Sequence, residues 1–100
     1  MDIHFERNGV SFIWNRKKAT LNKNKHDGIT FEHATQAFFA PFFKLVNASR
    51  NDEDEDRDAV IGYDQVGRLL FVVHIEIEGE YIRIISARKA TTSEHNDYDL

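Results

Sequence analysis

Tyr81-Ile82-Arg83-Ile84-Ile85-Ser86-Ala87-Arg88-Lys89-Ala90 is the stretch on which the reading of the fold turns. Its aromatic and β-branched residues have strand character. Arg83 interrupts them, and Arg88-Lys89 close the run with positive charge. A guanidinium is rarely buried without a partner. Arg83 therefore either lies on an open sheet face or meets an anion.

Upstream, Leu69–Ile77 reads as a second strand, and Glu78-Gly79 as the turn between the two. If Ile77 faces Glu80, Ile75 pairs with Ile82, Val73 with Ile84 and Phe71 with Ser86. The strongest apolar residues then share one face, as the two-residue period of a strand requires. The other face pairs Glu76 with Tyr81, His74 with Arg83 and Val72 with Ile85. This register predicts a patch of His74, Glu76, Tyr81 and Arg83 opposite the helix-covered core, with paired β-carbons about 5 Å apart. Ala59–Tyr63 supplies a third strand, joined through the turn Asp64–Arg68.

Towards the N-terminus, Ile3–Phe5 and Val10–Trp14 alternate around Arg7-Asn8-Gly9. Asn-Gly favours the positive φ angles of a tight hairpin. Asn15 is an N-cap candidate and Gly28 the matching stop for a first helix. Lys18, Asn22, Lys25 and His26 share one face of it by spacing. That face reads either as a solvated basic surface or as a ridge touching phosphates. Thr30 caps a second helix to about Phe39, with Phe31, Ala34 and Phe38 facing the core and His33 at the surface. Ala40-Pro41 ends it. Phe42–Val46 is β-prone, Asn47–Asp58 reads as an acidic surface loop, and Thr91–Leu100 as a short C-terminal helix. The expected architecture is α+β: two N-terminal helices packed on an antiparallel sheet, and a short C-terminal helix.

One hundred residues with 41% hydrophobic content suit a single folded domain spanning residues 1–100. Without cysteine there is no disulfide frame, thiolate metal site or Cys nucleophile. No apolar run reaches membrane-spanning length and the first residues lack a signal peptide's pattern, so the expected location is cytoplasmic. The net charge of −4 is local in origin. Six acidic residues crowd between Asp52 and Asp58 around Arg57, while the remainder is close to neutral and clusters its basic groups at Arg16–Lys25 and Arg83–Lys89.

Metal-free RNA cleavage by the 2′-hydroxyl needs a base, an acid and positive charge on the phosphorane-like transition state. The patch His74, Glu76, Tyr81 and Arg83 holds that inventory, although the same residue types also suit cross-strand pairing. The five histidines show no paired ligand spacing, and the acidic run lacks the glycine and alternation of a calcium loop, so neither metal nor cofactor is expected. No glycine-rich phosphate loop occurs, and Ser86 lacks a nucleophile-elbow context.

Trp14-Asn15, Lys18, Asn22, Lys25-His26, Gly28, Phe31-Glu32 and Ala34 resemble the N-terminal pattern of BrnT-type toxins. Arg57, Gly62, Gly67-Arg68, the run Ile82–Ala90, Glu94 and Tyr98 resemble the rest. Asn15 stands where Asp is usual, Asp56 where Glu is usual and His33 where Glu is common, and Met1–Ser11 extends the usual start. The resemblance implies a RelE-like fold and the toxin of a type II toxin–antitoxin pair, an endoribonuclease that blocks translation. It implies neutralisation by a BrnA-type antitoxin in a heterotetramer, with DNA reached only through the antitoxin and no membrane involved. On this basis Lys25, His26, Arg57 and Arg83 are catalytic candidates, and His74 joins them from the sheet register alone. Lys18, Arg88, Lys89 and Tyr81 are the candidate RNA contacts. An inert toxin-like module that only binds its antitoxin is the alternative.

Overall fold

The structure, a computed structural model, describes residues 1–49 and 56–100. The chain runs β1 (Asp2–Arg7), β2 (Val10–Asn15), α1 (Arg16–Lys25), α2 (Phe31–Ala34) and a 3₁₀-helix (Thr35–Phe39). It continues with β3 (Lys44–Asn47), β4 (Asp58–Tyr63), β5 (Leu69–Ile77), β6 (Tyr81–Lys89) and α3 (Thr92–Asp99). Among the described residues the strands form one six-stranded sheet in the order β1-β2-β6-β5-β4-β3.

Local chemistry sets the element ends. Asn8 and Gly9 take φ of 51° and 80° and close the β1–β2 hairpin. The Asn15 side chain accepts from the Lys18 N–H at 3.0 Å to cap α1. At the other end, Gly28 at φ 73° donates its N–H to the Lys23 carbonyl. The Thr30 hydroxyl accepts from His33 N–H. Thr91 and Glu94 form a reciprocal capping box on α3.

The expected pair of N-terminal helices on an antiparallel sheet is corrected in three respects. A hairpin precedes the helices and belongs to the sheet, and the second helix is one α-turn that tightens into 3₁₀ geometry before Pro41. The sheet is also mixed. β2 lies parallel to β6 through Phe12↔Ile82 and Ile13↔Arg83, while the other pairings are antiparallel. Pairing between segments so far apart leaves no turn signature in the chain.

The helices cover one face of the sheet. Phe12, Trp14, Val60, Leu70, Val72, Ile84 and Ala87 meet Ile29, Phe31, Ala34 and Ala37 there. Fully burying an aromatic such as Phe12, Trp14 or Phe31 contributes up to about 3 kcal/mol. Backbone contact is close at Gly62, where a β-carbon would stand 2.5 Å from the Ala37 carbonyl oxygen. Glycine thus lets the 3₁₀-helix lie directly on β4.

The β5–β6 register differs from expectation by one residue, then by two. Ile77 pairs with Tyr81, Ile75 with Arg83 and His74 with Ile84; beyond an irregularity, Val73 pairs with Ser86 and Phe71 with Arg88. Two causes combine. Three residues, Glu78 to Glu80, separate the strands, and Ile85 is left as an extra residue in a bulge. Because side chains alternate, the shift moves His74 and Glu76 to the helix-covered side and leaves Arg83 on the open side. The expected patch of His74, Glu76, Tyr81 and Arg83 is therefore not formed.

Candidate functional site

The basic helix and the bulged strand meet at one place. β2 pairs with β6 through Phe12 and Ile13, so beyond Arg83 that edge of β6 faces α1 instead. Asn22 closes it as a strand would. Its amide nitrogen donates to the Ala87 carbonyl at 2.9 Å and to the Ile29 carbonyl at 3.3 Å, and its oxygen accepts from Ala87 N–H at 3.0 Å. Asn22 is buried, so the ridge inferred from helical spacing is corrected at this position. An asparagine amid lysines carries no signal of that role.

Above this lock, a groove of about 200 Å3 is lined by Lys18, Leu21, Asn22, Lys25, His26, Ile85 and Ser86. The bulge is what presents both Ile85 and Ser86 to α1. Lys89 approaches the same end of α1, with its ammonium 3.7 Å from the Asp27 carboxylate. Lys18, Lys25, His26 and Lys89 are thus gathered at one edge of the sheet.

The remaining candidates, His74 excepted, lie on the open face. Arg83 stands three residues before Ser86, roughly 10 Å along the strand. Its Nη1 and Nη2 donate to Asp2 Oδ1 and Oδ2 at 3.3 and 3.0 Å. That fork holds the Asp2 carboxyl below its ordinary value. Tyr81 meets His4 edge-on, with ring centroids 6.1 Å apart. Arg57 immediately precedes β4, whose first residue Asp58 pairs with His74, next to the Ile75–Arg83 pair. Its backbone N–H donates to Ser49 Oγ at 2.9 Å. Of the six acidic residues that crowd around Arg57 in the sequence, those at positions 52–55 lie outside the described residues.

Arg88 is already engaged. Its two terminal nitrogens donate to the Glu94 carboxylate at 2.7 and 2.9 Å, and its guanidinium stacks 4.4 Å from the Phe71 ring centroid. The Arg88 fork holds Glu94 below the usual carboxylate range, against the opposing effect of burial. Arg88 thereby fastens α3 to β6, with support from Tyr63 against Tyr98 and from Lys44 Nζ donating to the Asp97 carbonyl at 3.1 Å.

His74 is separated from all of these. It is buried against Phe38 and hydrogen-bonded to the Val72 carbonyl. Burial lowers its pKa, against the pull of that carbonyl and of Asp58 and Glu76. His33, expected at the surface, instead bonds Asp64 at 2.9 Å. Among the described residues, no three His, Cys, Asp or Glu side chains are grouped to hold a metal ion. Among them, too, no helix is long and apolar enough to cross a membrane.

A family model described as "Ribonuclease toxin, BrnT, of type II toxin-antitoxin system" matches residues 14–94. Among solved structures, the chain is similar to the ribonuclease toxin BrnT of Brucella abortus, determined at 1.1 Å. The two share 24% identity with a TM-score of 0.55, over 79% of this chain and 94% of that one. At that identity the likeness shows a common fold. The search of curated proteins finds no match.

Proposed function

The chain belongs to the BrnT family of ribonuclease toxins of type II toxin–antitoxin systems, and from that premise we propose that it is an active, metal-independent endoribonuclease with a RelE-like fold in a single toxin domain. The observation that carries this reading is the bulge on β6. It sets Ile85 and Ser86 against Lys18, Lys25 and His26, three residues from Arg83.

The chemistry follows from the groups present. RNA supplies its own nucleophile: the 2′-oxygen bonds to the adjacent phosphorus while the bond from phosphorus to the 5′-oxygen breaks. Lys25 and His26 exchange the two protons, one taken from the 2′-hydroxyl and one given to the departing 5′-oxygen. Arg83 and Arg57 take up charge on the phosphorane oxygens. Lys18, Lys89 and Tyr81 guide the flanking backbone, and Arg88 joins them if Glu94 releases it. His74 has no part, because it is buried on the other side of the sheet.

The partner in this reading is a BrnA-type antitoxin, in a heterotetramer of two toxins and two antitoxins. DNA is contacted through the antitoxin alone. A second reading rests on a specific observation: Arg83 and Arg88 each already hold a carboxylate, as in an inert module that only binds its antitoxin. Expression of the chain without a partner separates the two. The active reading predicts growth arrest and cleavage of single-stranded RNA, lowered at least about 100-fold by the Arg83→Ala, Arg57→Ala double variant. Full cleavage by that variant rejects the assigned site, and antitoxin binding without RNA turnover by the unmodified chain favours the inert module.

A further inference from the structure

The strand β1 lies before residue 14, where the match to the family begins, yet it reaches the residue on which the proposed site depends. Asp2 projects across β2 and meets Arg83 end-on, with both carboxylate oxygens on both terminal nitrogens. A phosphate would bind the same fork of donors with two of its oxygens. We infer that Asp2 is a built-in competitor for RNA phosphate: its carboxylate occupies the Arg83 fork in the resting protein and must swing away when RNA binds. This inference rests on the reading of Arg83 as a phosphate ligand.

The geometry favours competition over positioning. The end-on pair takes one N–H from each terminal nitrogen, so a phosphate that approaches the same end of the guanidinium has to displace the carboxylate. Here both Nη1 and Nη2 point at Asp2. The strand itself does not have to move. Six residue pairs bind β1 to β2, the Arg16 N–H donates to the Met1 carbonyl, and Ile3 and Phe5 pack against the core. The exchangeable part is the side chain. Asp2 and Arg83 are 39% and 29% exposed, and an ion pair so placed is weak enough for an incoming polyanion to displace. The competitor therefore tunes affinity without closing the site.

A double-mutant cycle tests this, using the full chain and a single-stranded RNA oligonucleotide at low salt, with binding read by fluorescence anisotropy and with cleavage rates. Asp2→Asn keeps the shape and removes the charge. It is expected to tighten RNA binding roughly two- to fivefold, the range open to an exposed ion pair. In an Arg83→Ala background the same change is expected to do nothing, and the gain is expected to shrink in high salt. Equal tightening in both backgrounds would mean a general effect of net charge and would overturn the inference. So would unchanged or weaker binding by Asp2→Asn while Arg83→Ala alone impairs binding, an outcome that leaves the site reading intact. If Arg83→Ala alone leaves binding and cleavage untouched, the site reading falls and the competitor falls with it. Thermal unfolding of each variant checks that the folded protein is compared throughout.

Discussion

On the helix-covered side of the sheet, Asp64, His74 and Asn22 are buried and bound from within, whereas on the open face Arg83 pairs with Asp2 and Arg88 with Glu94 near the surface. Asp64 accepts from the backbone N–H groups of Val66 and Arg68, the Arg68 guanidinium and the His33 ring. Such groups cannot exchange partners without leaving donors or acceptors orphaned in the interior. The open-face pairs can, because water and other anions reach them. Stability is thus vested in one side of the sheet and anion exchange in the other, with β6 common to both.

The sharpest way to break this contrast is at the lock between α1 and β6. Asn22→Ala orphans both the N–H and the carbonyl of Ala87, and is expected to cost about 3 kcal/mol in chemical denaturation. A loss below about 0.5 kcal/mol would show that water replaces the lock, and that the covered side resembles the open one.

Acid is the next probe. Burial alone would raise the Asp64 carboxyl, but its four hydrogen bonds bring it down to about 2. Because the folded value lies below the unfolded value of 3.8, the gain is present above pH 4 and is lost as pH falls towards 2. It amounts to about 2 kcal/mol. His74 acts in the same direction at higher pH. Its lowered pKa keeps the imidazole neutral in the fold, so acidification below its ordinary value of 6.5 favours the unfolded chain. Denaturation followed from pH 7 to pH 2 should show stability falling in two stages, and Asp64→Asn should diminish the lower one, to which Glu94 also contributes.

The smallest effect belongs to the open face. Glu94→Gln weakens the fork to Arg88 while the helix cap Thr91 remains, so the expected loss is about 1 kcal/mol or less and should shrink in high salt. A larger, salt-insensitive loss would mean that α3 is part of the core.

Much of the fold was legible because its signals are local. Asn8-Gly9 demanded positive φ, and Asn15, Thr30 and Thr91 offered side-chain oxygens to the first N–H groups of helices. Of the candidate site, helical spacing anticipated that Lys18, Lys25 and His26 would lie together. The placement of His74 beside Arg83 failed because it depended on a two-residue turn and an unbroken ladder. One extra loop residue reversed the face at His74 and Glu76, and the Ile85 bulge shifts the ladder again only from Val73 onward. Val73 and Ile75 gave no warning, since both faces of β5 are apolar.

The sequence by itself determined the helix N-caps, the β1–β2 turn, the basic face of α1 and the family pattern spread over Trp14 to Tyr98, since each depends on neighbours within a turn or on residue identity alone. Only the tertiary structure decided that β2 runs parallel to β6, that Asn22 turns inward onto Ala87, and that Asp2 meets Arg83. These contacts join residues up to 81 positions apart. They depend on how packed elements close on one another, and no periodicity along the chain encodes them.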